Sequence, residues 1–253
     1  MFSRGFWVIV KREIKRFLFL YKQTLIPSII SSGLYIIVFG AALGSRIKVE
    51  GASSYTHYII PGLVMLHVIN AAYQNSSSSI MQAKFLRFIE DILITPLSGL
   101  EISFSYMIGG TVRGMLNGIL VLLLGYFLTG FMVENWVMTL AYLFIVSWAF
   151  SGAGVIVGIF AKSWDSIMVI TNLIIMPLTM LGGVFYSIEM LPDIWQNFTL
   201  INPIYWMISG IRLATLGIAD TSHLYSMGVS LVFALIFSIL ASYLFSKGYR
   251  IKT

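Results

Sequence analysis

Arg113 is the only charged residue between Glu101 and Glu134. The apolar stretch around it is long enough to place it near the middle of a bilayer. A central Arg costs about 2.5–3.5 kcal/mol on insertion scales, so it is expected to face the protein interior rather than acyl chains. Asn117, four residues on, shares its helical face. Two partners suit such a guanidinium: carbonyl groups of a neighbouring helix, or a phosphate or other anion on a bound molecule. A second polar set, His67, Asn70, Gln74 and Ser77 or Ser78, falls on one face of another apolar stretch. An unpaired polar group in hydrocarbon costs several kcal/mol, so this stripe must meet protein or water. It serves either as interhelical hydrogen-bonding glue, at about 0.6 kcal/mol per contact, or as the lining of a pathway. Asn172 and Thr179 flank Pro177 in a third stretch and carry the same two readings.

Absent chemistry narrows the choice further. There is no Cys, which excludes thiol nucleophiles, thiolate zinc sites and iron–sulfur clusters. The three His residues, His57, His67 and His223, are far apart, and there is neither H-E-x-x-H nor G-x-S-x-G. There is no G-x-x-x-x-G-K-[ST] loop to cradle ATP phosphates. Paired carboxylates occur only as Glu90-Asp91, outside the apolar stretches. Ion-coupled carriers usually need acidic groups near the bilayer midplane, and none stands there. A self-contained channel or secondary carrier is the alternative reading of such a chain, and a membrane enzyme the third; these absences argue against both.

The elements that position these groups follow from composition. Of 253 residues, 58% are hydrophobic and 10% charged, against about 45–50% and 25% in soluble domains. Mean hydropathy is +0.90. The chain is read as an all-α integral membrane protein. Six stretches approach the roughly 20 residues a bilayer requires: Leu25–Leu43, Tyr58–Ile80, Ile102–Thr129, Trp136–Ala161, Ser166–Tyr186 and Leu224–Phe245. The first is too long, and its basic flank too patterned, for a cleaved signal peptide. A further stretch, Phe198–Ile218, is broken by Asn202, Pro203 and Arg212 and reads as one or two re-entrant or interfacial helices. With the N-terminus inside, twelve of the sixteen Lys and Arg fall on the cytoplasmic side. Arg46, Lys48 and Arg212 are left outside and Arg113 within a span. The net charge of +6 therefore reports orientation, with both termini cytoplasmic, and not a nucleic-acid partner.

Two amphipathic segments lie outside the spans. In Phe2–Gln23, Phe6, Val10, Ile14, Phe17, Leu18 and Tyr21 share one face, with Arg4, Lys11, Lys15 and Lys22 opposite. This predicts an in-plane helix anchored in the membrane lipids, with or without a cytoplasmic partner. In Gln82–Glu101, Phe85, Phe88, Ile89 and Ile92 form a helical stripe, with Lys84, Arg87 and Asp91 on another face and Pro96 as the stop. This predicts a short helix that either rests on the interface or docks into a groove of a soluble protein. The strips Gly110-x-x-x-Gly114-x-x-x-Gly118 and Gly154-x-x-x-Gly158 permit close helix approach, read as packing within the subunit rather than as a dimer seam.

The pattern Phe85-x-Arg87-x-Ile89-Glu90-Asp91-x-Leu93-x-x-Pro96 resembles the cytoplasmic signature of ABC-2 type permeases, the membrane subunits of type V ATP-binding-cassette exporters. Tyr58-Ile59-Ile60-Pro61-Gly62-Leu63, Gly109-Gly110-x-x-Arg113-Gly114, Phe160-Ala161-Lys162-x-x-Asp165, Leu181–Ser187, Leu191-Pro192-x-x-Trp195-Gln196, Asn202-Pro203-Ile204 and Met207-Ile208-Ser209-Gly210-x-Arg212 agree in order and spacing. Asp91 stands where relatives more often carry Glu, which keeps the charge.

The resemblance implies a single transmembrane domain over residues 1–253. Its parts are a connecting helix at 1–23, a coupling helix at 82–97 and outer re-entrant helices at 187–220. Two copies would pair above two cassette ATPase subunits. Phe85, Arg87, Glu90 and Asp91 would receive the nucleotide-driven motion. ATP and Mg would sit on the partner ATPase, with no cofactor on this chain and no catalytic or metal-binding residue in it. The cargo implied is amphipathic: a lipid, a lipid-linked glycan or a hydrophobic drug, moved out across a bacterial inner membrane. His67, Asn70, Gln74, Arg113, Asn172 and Thr179 are the candidates for lining its path.

Overall fold

A computed structural model describes residues 3–44, 52–218 and 221–248. The predicted outside cations Arg46 and Lys48, the predicted cytoplasmic Arg250 and Lys252, residues 1–2 of the segment 1–23 and residues 219–220 of the segment 187–220 lie outside the described residues. Among the described residues there is helix and no strand. The helices are α1 (Arg4–Phe19), α2 (Tyr21–Thr24), α3 (Ile26–Leu43), α4 (Tyr55–Phe85), α5 (Ile89–Leu93), α6 (Gly99–Thr129) and α7 (Trp136–Phe160). They continue as α8 (Trp164–Ile170), a π-helical turn (Thr171–Ile175), α9 (Met176–Leu181), a 3-10 turn (Ile188–Met190), α10 (Asp193–Ile201), α11 (Pro203–Leu216) and α12 (His223–Lys247).

Five of these segments are long and apolar enough to cross a membrane: Tyr21–Leu43, Gly99–Thr129, Trp136–Phe160, Trp164–Leu181 and His223–Lys247. The predicted second span falls in α4. Its 31 residues, about 46 Å at 1.5 Å per residue, exceed a bilayer core, yet its polar stripe leaves it less apolar than the other five. It is also the most enclosed helix, lying against α6 and α7. Small residues allow this. A Cβ on Gly110 would strike the Ser76 and Ser151 hydroxyls, which bond each other at 2.6 Å. One on Gly154 would strike the Tyr73 carbonyl. Both small-residue strips thus pack within the chain.

The N-terminal helix differs from its sequence pattern. Phe6, Ile9, Val10, Glu13 and Phe17 are buried, while Leu18 and Tyr21 are exposed. The reason is docking: α1 lies along α6, with Glu13 against Gly109. Residues 9, 13 and 17 recur every fourth position and so form the covered face. The helix also ends at Phe19, which moves Tyr21 into α2.

The segment 82–97 is not one helix. Helix α4 runs on to Phe85. The chain then turns through Arg87 in the left-handed region (φ 61°), and the short α5 ends at Leu93, before Pro96. The predicted stripe is therefore split, with Phe85 exposed and Ile89 and Ile92 buried. Lys84 is drawn away from the loop and donates to the carbonyls of Ile159 (2.9 Å) and Ala161 (2.7 Å) at the end of α7, where a cation meets the negative end of a helix.

Between α9 and α12 the chain forms the 3-10 turn and two short helices. They break at Asn202, whose side chain donates to the Leu178 carbonyl (2.6 Å) and accepts from the Ile204 amide (3.0 Å). Helix α11 carries Arg212 inward. Its guanidinium donates to the Gly183 carbonyl at 2.7 Å and lies 3.9 Å from the centre of the Tyr58 ring.

Candidate functional site

A polar groove runs between α3, α4 and the α8–π–α9 segment. Its main chamber has a volume of about 330 Å3. Helix α3 contributes Pro27, Ser28, Ser31 and Tyr35; α4 contributes Leu66, His67, Asn70, Ala71 and Gln74; α6 sends in Arg113; and the far wall carries Thr171, Asn172 and Met176. A second chamber of about 290 Å3 shares Gln74, Arg113, Thr171 and Asn172 and extends past Ser78 to Trp164, Ile167 and Met168. Arg113 stands where the two meet.

Local physics places these side chains. His67, Asn70 and Gln74 are three and four residues apart on α4 and share one face. Asn70 donates to its own helix at Leu66 (2.8 Å), leaving its oxygen to the groove. His67 lies 3.5 Å from the Ser31 hydroxyl, the outer limit of a hydrogen bond. On the opposite wall Pro177 has no N–H to give to Leu173, and the hydrogen-bond ladder slips. The Met176 amide bonds Thr171 instead, five residues back, and makes the π turn. Thr171 and Asn172 open that turn and face the groove.

Five of the six path candidates, His67, Asn70, Gln74, Arg113 and Asn172, thus line one groove. Thr179 does not. It is fully buried and donates to the Ile175 carbonyl at 2.7 Å. Seven residues apart, Asn172 and Thr179 would share a face of an unbroken α-helix. The π turn adds about one residue of rotation, roughly 100°, and carries Thr179 off that face.

Of the coupling candidates, Phe85, Arg87, Glu90 and Asp91 are all exposed at the α4–α5 junction. The charged edge lies beside exposed Leu86 and Ile94. One polar cluster escaped the sequence reading. Glu13, fully buried, pairs with Arg12 (2.9 Å) and Arg16 (3.3 Å). Arg12 also donates to the Tyr106 hydroxyl (3.0 Å) and lies over the Phe88 ring at 5.2 Å. Burial works against the Arg12 charge, but Tyr106 and Glu13 more than offset it and hold its pKa above the ordinary value. Arg16 donates to Asn75. The available signal was an acidic residue inside a basic run, four positions from both Ile9 and Phe17.

The arrangement can bind and orient a polar or anionic group. It holds no set of three or more His, Asp and Glu suited to a metal among the described residues. Comparison with known proteins places it. The family described as ABC-2 type transporter matches residues 4–216. The chain belongs to the ABC-2 type transporter family. It is 40% identical to the inner membrane transport permease YadH of Escherichia coli K12 over 252 residues, 98% of each chain. It is 26% identical over 193 residues to nodulation protein J of Rhizobium leguminosarum biovar viciae, covering 73% of this chain and 71% of that one. As an ABC-2 type transporter permease it has a function in membrane transport.

Proposed function

We propose that this chain is the permease subunit of an ATP-binding-cassette exporter of the type V class, and that two copies work with two separate cassette ATPase subunits. The observation that carries this reading is the polar groove itself, set between the two least covered spans of an ABC-2 type chain. Only 17% of positions are buried in Tyr21–Leu43 and in Trp164–Leu181, against 61% in Trp136–Phe160. A second copy packing along α3 and α8–α9 would cover those faces and turn two grooves into one enclosed path.

In this reading α4 is the sixth span, sheltered from lipid by its neighbours. Both termini and the α4–α6 junction are cytoplasmic, as the Lys/Arg bias demands. Residues 1–23 form the connecting helix, 82–97 the coupling segment and 187–220 the outer re-entrant helices. Phe85, Arg87, Glu90 and Asp91 meet the ATPase, which holds ATP and Mg. Arg12 over the Phe88 ring and bonded through Glu13 to Arg16 gives the coupling segment a mechanical link to α1, and from there to the buried Asn75 of α4, next to the groove residue Gln74. The cargo is an amphipathic molecule moved outward across the bacterial inner membrane, the membrane named for the YadH relative.

The test is affinity purification of the tagged chain from native membranes under mild detergent. Recovery of a P-loop ATPase in equal amount, with hydrolysis absent from the isolated chain, is the expected result. Recovery of no ATPase, or turnover by the rigorously purified chain alone, would refute the reading.

A further inference from the structure

The groove contains a cation with no counter-charge paired to it among the described residues. Arg113 is only 8% exposed, and its Nε is buried without a hydrogen-bond partner. Among the described residues its guanidinium has neither a hydrogen bond nor an ion pair to the protein. Glu13, the carboxylate of the α1 cluster, is already engaged, one oxygen by Arg12 and the other by Arg16. Asn117, four residues on, donates its amide to the Arg113 carbonyl (2.9 Å), and its Oδ1 is buried without a hydrogen-bond partner, so it makes no bond to the guanidinium. A buried charge left this way is costly unless something pairs with it. Arg212, whose Nε is likewise unpartnered, at least donates to the Gly183 carbonyl and lies over the Tyr58 ring; among the described residues Arg113 has no such carbonyl.

Both chambers open onto this guanidinium, and their other polar groups are neutral: His67, Asn70 and Gln74 on one side, Thr171 and Asn172 on the other. Among the described residues no carboxylate lines either chamber. Apolar surface adjoins the polar centre, with Leu66 and Met176 in one chamber and Ile167 and Met168 in the other. Exposed Val38, seven residues beyond Ser31, lies on the same face of α3.

We propose that Arg113 is the binding residue for an oxyanion head group, phosphate or carboxylate, of an amphiphile whose apolar part lies along α3 and α8. The planar guanidinium suits a two-oxygen contact, and the amides of Asn172 and Gln74 supply further donors. The inference deepens the permease reading and rests on it, since it names the chemical class of the cargo.

The experiment uses the full chain, without any ATPase, in a neutral maltoside detergent. Binding of phosphatidic acid is compared with diacylglycerol of identical acyl chains and with inorganic phosphate. A charge-assisted contact of this kind is expected to favour phosphatidic acid over diacylglycerol by about tenfold or more. Arg113→Gln should abolish that preference, and Arg113→Lys, which keeps the charge but loses the two-oxygen contact, should weaken it. Exposed Lys11 and Lys15 also attract anionic lipid, but their contribution is common to all variants. Gln74 is exposed, so Gln74→Trp leaves the fold intact and fills the groove beside Arg113; it too should remove the preference, and it decides the matter if Arg113→Gln fails to fold. An unchanged preference in Arg113→Gln or Gln74→Trp overturns the proposal. Inorganic phosphate binding as tightly as phosphatidic acid overturns its amphiphile half. A chain that recovers and stimulates an ATPase while showing no head-group preference would leave the permease reading standing and remove this one.

Discussion

One nitrogen of the Arg16 guanidinium donates to both the carbonyl (2.8 Å) and the side-chain oxygen (3.1 Å) of Asn75. Asn75 directly follows Gln74, which lines the groove. The N-terminal helix is therefore fastened to the groove wall through a buried charged network and does not simply rest on the membrane surface. Glu13 holds that network together, since it is the acid between Arg12 and Arg16.

Removing Glu13 should be expensive. Breaking a buried pair by deleting one partner typically costs about 3–5 kcal/mol, because the other charge stays buried. Arg12 keeps some solvent contact, so we expect Glu13→Ala to fall near the lower end of that range. Thermal unfolding of the purified chain in detergent would register it. A melting curve indistinguishable from the parent would mean that the cluster contributes nothing.

Helix approach sets a second limit. Gly154→Val places a branched side chain against the Tyr73 carbonyl and Ser76. Overpacking of this kind costs about 1–3 kcal/mol and sometimes more. Gly130, a left-handed helix cap with open space around it, is a contrasting site: Gly130→Asn should be tolerated far better. The relative yield of monodisperse protein for the two variants checks the difference.

The π turn predicts an accessibility change. Because the chain has no Cys, single cysteines can be introduced without removing others. We expect Asn172→Cys to react with a water-soluble maleimide through the groove. Adding Pro177→Ala restores an amide at residue 177, favours a regular ladder and should rotate residue 172 away, with slower labelling. Equal rates in the two backgrounds would show that Pro177 does not set this wall.

The exposed pair Glu90 and Asp91 separates stability from coupling. Substitutions on such surfaces usually change stability by about 0.5 kcal/mol or less. Reversed charge at a protein contact is repulsive. The double variant Glu90→Lys, Asp91→Lys should therefore melt like the parent yet fail to stimulate a cassette ATPase. Normal stimulation by this variant would remove the pair from the interface.

Much of the site was legible in the sequence because hydrocarbon is unforgiving. A lone Arg113 had to be sheltered from lipid, and it is buried; the 67–70–74 stripe shares one face of α4 and lines the groove, with Gln74 exposed. What the sequence concealed depends on tertiary contacts. Nothing in the basic run around Glu13 shows that α1 will press that residue against Gly109. No Gly or Pro marks the turn at Leu86–Phe88, where Arg87 takes a left-handed conformation. Pro177 announced a disturbance, but whether it would bend the helix or insert a π turn was not written in the pattern. That choice excluded Thr179 from the groove.

Reconstitution tests the central claim most directly. Proteoliposomes would contain this chain together with the P-loop ATPase recovered with it, and a fluorescent phospholipid with an anionic head group would be followed across the bilayer. The account expects movement that requires ATP, the ATPase and this chain together, and that falls sharply with Arg113→Gln. Movement of the same size without ATP or without the ATPase would contradict it.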